Sequence, residues 1–181
     1  MDSKLEQAFN RLKSWPTAVS VADTSKKDDP LIYVNNAFTE LTGYEAEECI
    51  GRNCRFLQGY ETDQDAIAKL RNAVDKRHHF TVCLFNYRKN GPPFHNLLIV
   101  TPVDLDESNH LILGCQYEIH QAIGDEELAA QLSNVRGAFD EIEKPQDRRG
   151  QLFLNSIEVR TTATRMVVDS YMYRAPTLAA R

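Results

Sequence analysis

Long apolar runs are missing from this sequence of 181 residues, and no stretch approaches the length of a membrane span. The start does not look like a secretory signal either, since Met1–Asn10 is polar and charged. Together these absences predict a cytoplasmic protein with no membrane contact. Positive charge is in deficit, with a formal net charge of -5. The general electrostatic footprint of a nucleic-acid or membrane binder is therefore absent. Cysteine is sparse, and Cys49, Cys54, Cys83 and Cys115 form neither paired CxxC units nor a CxxC/HxxxH combination. That argues against a zinc site and leaves no metal expected. In a reducing compartment the four should be free thiols. No internal repeat or low-complexity segment is evident. What remains is an apolar content of 42%, enough for one domain with an appendage that folds without disulfides or metal.

Periodicity gives the elements. Leu5, Ala8, Phe9 and Leu12 lie at helical spacing, which predicts a helix over Lys4–Trp15 ended by Pro16. Ala18–Ala22 and Leu31–Val34 read as strands around the polar loop Asp23–Pro30. Asn35 or Asn36 caps a short helix through Ala37, Phe38 and Leu41, which Gly43 ends. Ala46–Cys49 is a helical turn. Thr62 opens a longer helix whose apolar face is Ile67, Leu70 and Val74, with Asp63 and Asp65 at its positive end. The period then changes: Phe80–Arg88, Phe94–Val103 and Leu111–Ile119 are strands, separated by the loop at 89–93 and a turn over Asp104–Asn109. Long adjacent strands with short turns imply an antiparallel sheet of about five strands, with the helices grouped over one face, an α+β domain. After His120 the pattern is helical again. Leu128, Leu132, Val135, Phe139 and Ile142 form a narrow stripe over Asp125–Lys144, and Gln151–Tyr173 is read as a second helix. The expected divisions are an N-terminal helical cap (1–16), a core (17–120) and a C-terminal helical extension (121–181).

The stretch Gly51-Arg52-Asn53-Cys54-Arg55-Phe56-Leu57-Gln58-Gly59 carries the chemistry. It resembles the signature of LOV domains, a branch of the PAS fold that binds flavin mononucleotide (FMN) and responds to blue light. Further likeness lies at Asn86-Tyr87, at Asn96 in Phe94-His95-Asn96-Leu97, and at Gly114-Cys115-Gln116. The resemblance spans about Ala18 to Ile119. It implies that Cys54 forms a reversible, light-driven bond from its sulfur to flavin carbon C4a, while flavin N5 gains a proton. The residue types suit the cofactor's parts. Guanidinium groups recognise phosphate oxygens, and the resemblance assigns this to Arg55 and Arg71. Amide side chains match the alternating donors and acceptors of the ring's pyrimidine edge, implied here for Asn86 and Asn96, with Gln58 and Gln116 in the same scheme. Asn53 resembles a polar pocket residue, and a helix-capping role is compatible with that. Ile67, Leu70, Leu84, Leu98 and Val100 are candidates for the apolar wall, and each serves equally well as plain core. Cys49, Cys83 and Cys115 have no place in the motif and read as structural.

The resemblance further implies that Gln116 is a switch, rotating its amide when N5 changes from acceptor to donor and so shifting the terminal helices. Two positions depart from plant relatives: Ala18 stands where they carry an asparagine, and Ala22 where they carry a hydroxyl residue. No effector or enzymatic motif is recognisable in the tail, and DNA binding is disfavoured because a clustered basic recognition helix is missing. The expectation is a short, non-enzymatic LOV photoreceptor. It would signal through an unidentified protein partner or as a homodimer through its terminal helices, with light changing the assembly. Two other readings stay open: a PAS-type interaction module without photochemistry, and a redox enzyme that uses flavin in the dark.

Overall fold

The computed structural model describes residues 3–104 and 110–119. The two expected C-terminal helices and most of the Asp104–Asn109 turn lie outside them. The elements run α1 (Ser3–Leu12), β1 (Ala18–Asp23), β2 (Leu31–Val34), α2 (Asn36–Thr42), α3 (Ala46–Cys49), a 3-10 turn (Cys54–Leu57), α4 (Gln64–Asp75), β3 (Phe80–Asn86), β4 (Phe94–Asp104) and β5 (His110–Ile119). The strands form one antiparallel sheet in the order β2-β1-β5-β4-β3. This is the α+β architecture that the pattern predicted. No helix among the described residues is long and apolar enough to cross a membrane.

Strand alternation decides which side chains share a face. β1 pairs with β5 so that Ser20 lies opposite Gly114 and Ala22 opposite Ile112. β3 pairs with β4 so that Val82 faces Leu98 and Leu84 faces Asn96. One cluster under α4 joins Val82, Leu84, Leu98, Val100 and Ile112 with Ile67, Leu70 and Val74 of the helix. A second, around Phe38, Leu31 and Leu57, packs α2, α3 and the 3-10 turn against β2.

Several boundaries differ from the sequence reading, each for a local reason. Helix α1 ends at Leu12, before Trp15, because the Leu12 carbonyl accepts from Asn35 Nδ2 at 3.1 Å and from the Trp15 N–H at 3.1 Å. Asn35 is the cap of α2, its side chain accepting from the Phe38 N–H at 3.0 Å, and Gly43 closes that helix in left-handed backbone, φ +74°. Asp63, one residue after the expected Thr62, caps α4 by accepting from the Asp65 N–H at 2.9 Å. Thr62 is buried and spent elsewhere: its hydroxyl accepts from the Gly59 N–H and donates to the Phe85 carbonyl. Strand β3 stops at Asn86, because the Tyr87 N–H donates to Leu57 O and the Lys89 N–H to Thr42 O.

Candidate functional site

The Gly51–Gly59 motif is clamped at both ends. Gly51 N–H donates to Leu31 O, and Leu31 N–H donates to Arg52 O, both at 2.8 Å, tying the motif's start to β2. Gly51 takes φ +83°, a conformation that favours glycine. At the other end Tyr87 N–H reaches Leu57 O at 2.8 Å. Between these anchors Asn53 caps the 3-10 turn, accepting from Arg55 N–H at 3.0 Å, while its Nδ2 donates to Asp28 O at 2.8 Å. Arg52 stacks over Phe56, 4.6 Å from the ring centroid. The sequence reading had no 3-10 turn here, because four residues are too few to show a period.

This clamp sets Cys54 into the wall of a cavity between the sheet and α4, about 800 Å3 out to its open mouth. Of the expected site residues, Asn53, Cys54, Arg55, Gln58, Ile67, Leu70, Arg71, Leu98, Val100 and Gln116 all line it. Leu84, Asn86 and Asn96 are not part of its wall. Leu84 packs in the cluster beneath Leu98 and Val100, and the two asparagines are buried on the same side of β3 and β4. Ser20, Asp29, Asp75, Ile112 and Gly114 also line the cavity and were missed. For Ser20, Ile112 and Gly114 the signal is register across β1 and β5, which one strand's own pattern does not contain; Asp29 in the loop after β1 and Asp75 at the end of α4 carry no such signal.

Among the described residues three buried side-chain atoms have no partner: Asn86 Nδ2, Asn96 Oδ1 and Gln116 Oε1. The asparagines bond to each other, Asn96 Nδ2 donating to Asn86 Oδ1 at 2.8 Å, which leaves one donor and one acceptor unspent. Gln116 Nε2 donates to Ser20 Oγ at 2.8 Å. Buried amide atoms without partners are costly, and a ligand edge with alternating donors and acceptors would satisfy them. Gly114 keeps the floor flat here: a Cβ would stand 2.8 Å from Ser20 Oγ and 3.0 Å from Gln116 Nε2. Such donors and acceptors, an apolar wall and two guanidiniums fit an isoalloxazine with a polar tail.

The sheltered surroundings push the Cys54 thiol up from its ordinary value. Arg55 opposes that shift, and Asp29 adds to it. Cys54 therefore keeps its hydrogen at neutral pH. Burial pushes Cys49 up to about 11 and Cys115 up to about 12. None of the four cysteines forms a disulfide, and no cluster able to hold a metal exists among the described residues.

A model of the PAS domain family matches residues 16–121. The chain is 41% identical to the solved LOV domain of an Erythrobacter litoralis blue-light activated histidine kinase, covering 99% of that structure and 59% of itself with a TM-score of 0.56. This chain belongs to the LOV domains of the PAS family. Among curated proteins, the LOV chain is 38% identical over 135 residues to Blue-light-activated histidine kinase 2 of Erythrobacter litoralis. It is 39% identical over 117 residues to a Blue-light photoreceptor of Listeria innocua. The matches take in 72% and 64% of the LOV chain but 38% and 46% of those relatives' own length. Plant LOV relatives led us to expect a polar gap at Ala18 and Ala22. In this LOV domain Ala18 pairs with Gln116 across the strands, and the hydroxyl near that glutamine comes from Ser20 instead.

Proposed function

We propose that this LOV domain is a blue-light sensor that holds FMN in the cavity and uses Cys54 as the reversible covalent partner of the ring. The observation that carries the reading is the placement of the Cys54 thiol in the wall of a cavity that Gln116 also lines, with Gln116 Oε1 buried without a partner. A bound flavin would supply the light absorption and the ring carbon open to a thiol. The chain supplies the rest. Arg55 and Arg71 offer donors to a phosphate at the mouth, Gln58 offers an amide in the wall, the two asparagines, buried just outside that wall, offer the polar edge the one donor and one acceptor they leave unpaired, and Ile67, Leu70, Leu98 and Val100 give the apolar wall. Cys54 brings sulfur and hydrogen together, held by the clamped 3-10 turn.

Gln116 is the proposed output. A half-turn of its amide exchanges Nε2 and Oε1, and the Ser20 hydroxyl, which both donates and accepts, can partner either. Two residues further on, Glu118 accepts from Arg88 at 2.6 Å, so a change at Gln116 lies next to a fixed point of the sheet. From there the signal would pass to the terminal helices, a homodimer or another protein partner.

The test is the absorption spectrum of the purified full chain in darkness and after blue illumination, with elution volume recorded in both states. We expect a yellow protein that bleaches in light and recovers in darkness, and a light-dependent elution volume. Cys54→Ala should bind flavin and fail to bleach. A colourless protein would support a PAS-type interaction module, and a yellow one with an unchanging spectrum would support flavin chemistry in the dark. Unchanged elution in bleached protein would remove the assembly route alone.

A further inference from the structure

The cavity mouth carries charge of both signs. Arg55 and Arg71 line it, and so do Asp29 and Asp75. Asp28 stands beside them and accepts from Arg55 Nη1 at 2.6 Å. The Asp28–Asp29 turn is held in place. Both residues take left-handed backbone, φ 73° and 45°, which aspartate tolerates better than most residues, and Asn53 pins the Asp28 carbonyl. Arg71 and Asp75 lie one helical turn apart on α4, where side chains are neighbours. Around Asp29 there is thus one more carboxylate than guanidinium, Asp28, Asp29 and Asp75 against Arg55 and Arg71, and one guanidinium N–H is already spent on a carboxylate; Arg77 donates to Thr24, another lining residue, at 3.3 Å. The strain in this balance shows at Asp29. Its pKa is raised by burial first, then by Asp75 and Asp28, and Arg55 and Arg71 only partly offset this.

A phosphate monoester brings a charge of about -1.5 to -2 at neutral pH. At this mouth it meets two attractive groups and three repulsive ones. We propose that Asp28, Asp29 and Asp75 cancel most of the gain from the two arginines, so that the cavity takes a flavin ending in an uncharged ribityl chain about as tightly as one ending in phosphate. The carboxylates, more than the arginines, then set ligand choice at this end. The inference rests on the reading that the cavity holds a flavin.

The test is titration of the full chain, freed of flavin, with riboflavin and with FMN, read by flavin fluorescence. Wild type should bind the two within about tenfold of each other. Asp29→Asn should tighten FMN by about threefold to tenfold and leave riboflavin unchanged, and this gain should shrink in high salt, as expected of partly exposed charges. Arg71→Gln should weaken FMN alone. Riboflavin affinity doubles as the check on folding; should Asp29→Asn lose it, Asp75→Asn carries the same expectation. A wild-type preference for FMN far above tenfold, or FMN affinity indifferent to the carboxylates, would overturn the proposal while leaving a flavin protein. Failure of wild type to bind either flavin would instead bring down the flavin reading, and this inference with it.

Discussion

Gln116 and Ser20 show how one pair can serve two states. The glutamine is 5% exposed and so is the serine, and among the described residues the 2.8 Å bond between them is the one side-chain bond of Nε2. Removing the hydroxyl leaves a buried amide donor unpaired, which costs about 1–3 kcal/mol. Ser20→Ala should therefore lower the free energy of unfolding by that amount, measured by urea titration at unchanged slope. Ser20→Thr keeps the hydroxyl on a strand that tolerates branching, and should recover most of the loss. If the alanine variant is as stable as wild type, the amide finds another partner and the bond to Ser20 is incidental. Ser20 was not legible in the sequence, because an isolated serine in a strand has no pattern. Its role arises from the register that sets Ser20 opposite Gly114, beside Gln116. Cys54 was legible for the opposite reason: it sits within the contiguous stretch Gly51–Gly59 that resembles the LOV signature.

At the scale of elements, the junction of α1, β1 and α2 depends on one side chain. Asn35, 2% exposed, accepts from Val19 N–H at 2.8 Å and Phe38 N–H at 3.0 Å, and donates to the carbonyls of Leu12 at 3.1 Å and Thr17 at 2.8 Å. Cap replacement alone costs about 1 kcal/mol. Here the orphaned buried groups of two other elements add to it, so Asn35→Ala should cost about 3–5 kcal/mol. A loss near 1 kcal/mol in the same urea measurement would mean that the junction is held by Phe9 stacking on Tyr33 at 4.2 Å and by Leu12. The strands and α2 were readable because their side chains repeat with a period. The choice between Asn35 and Asn36 was not, since both can cap and only the approach of β1 and α1 selects one. The shift of the α4 cap from Thr62 to Asp63 has the same origin, a competing partner on β3 that is distant in sequence.

For the whole molecule, the packing that shelters the site also hides titratable groups from water, with a consequence for stability. Cys115 lies on β5 beside Gln116, is 4% exposed, and keeps its proton up to about pH 12. An unfolded chain releases a thiol proton near pH 8.5. Below about 8.5 both states hold the proton and Cys115 contributes no pH dependence. Above it the folded state carries the extra proton, so unfolding becomes easier as pH rises, with a slope approaching 1.4 kcal/mol per pH unit for one fully buried thiol, about the value of one pKa unit. Cys49, held up to about 11, and Tyr33, held up to about 12, push in the same direction. Wild-type stability should thus fall steeply in alkaline solution. Cys115→Ala departs from the wild-type value at neutral pH, because it removes packing, but packing loss is a constant offset. The comparison that decides is the slope from about pH 9 to 11, the window above the unfolded thiol value. It should be shallower in Cys115→Ala than in wild type. Parallel slopes would mean that water reaches the Cys115 sulfur, and that the sheet beside Gln116 opens more readily than its packing implies.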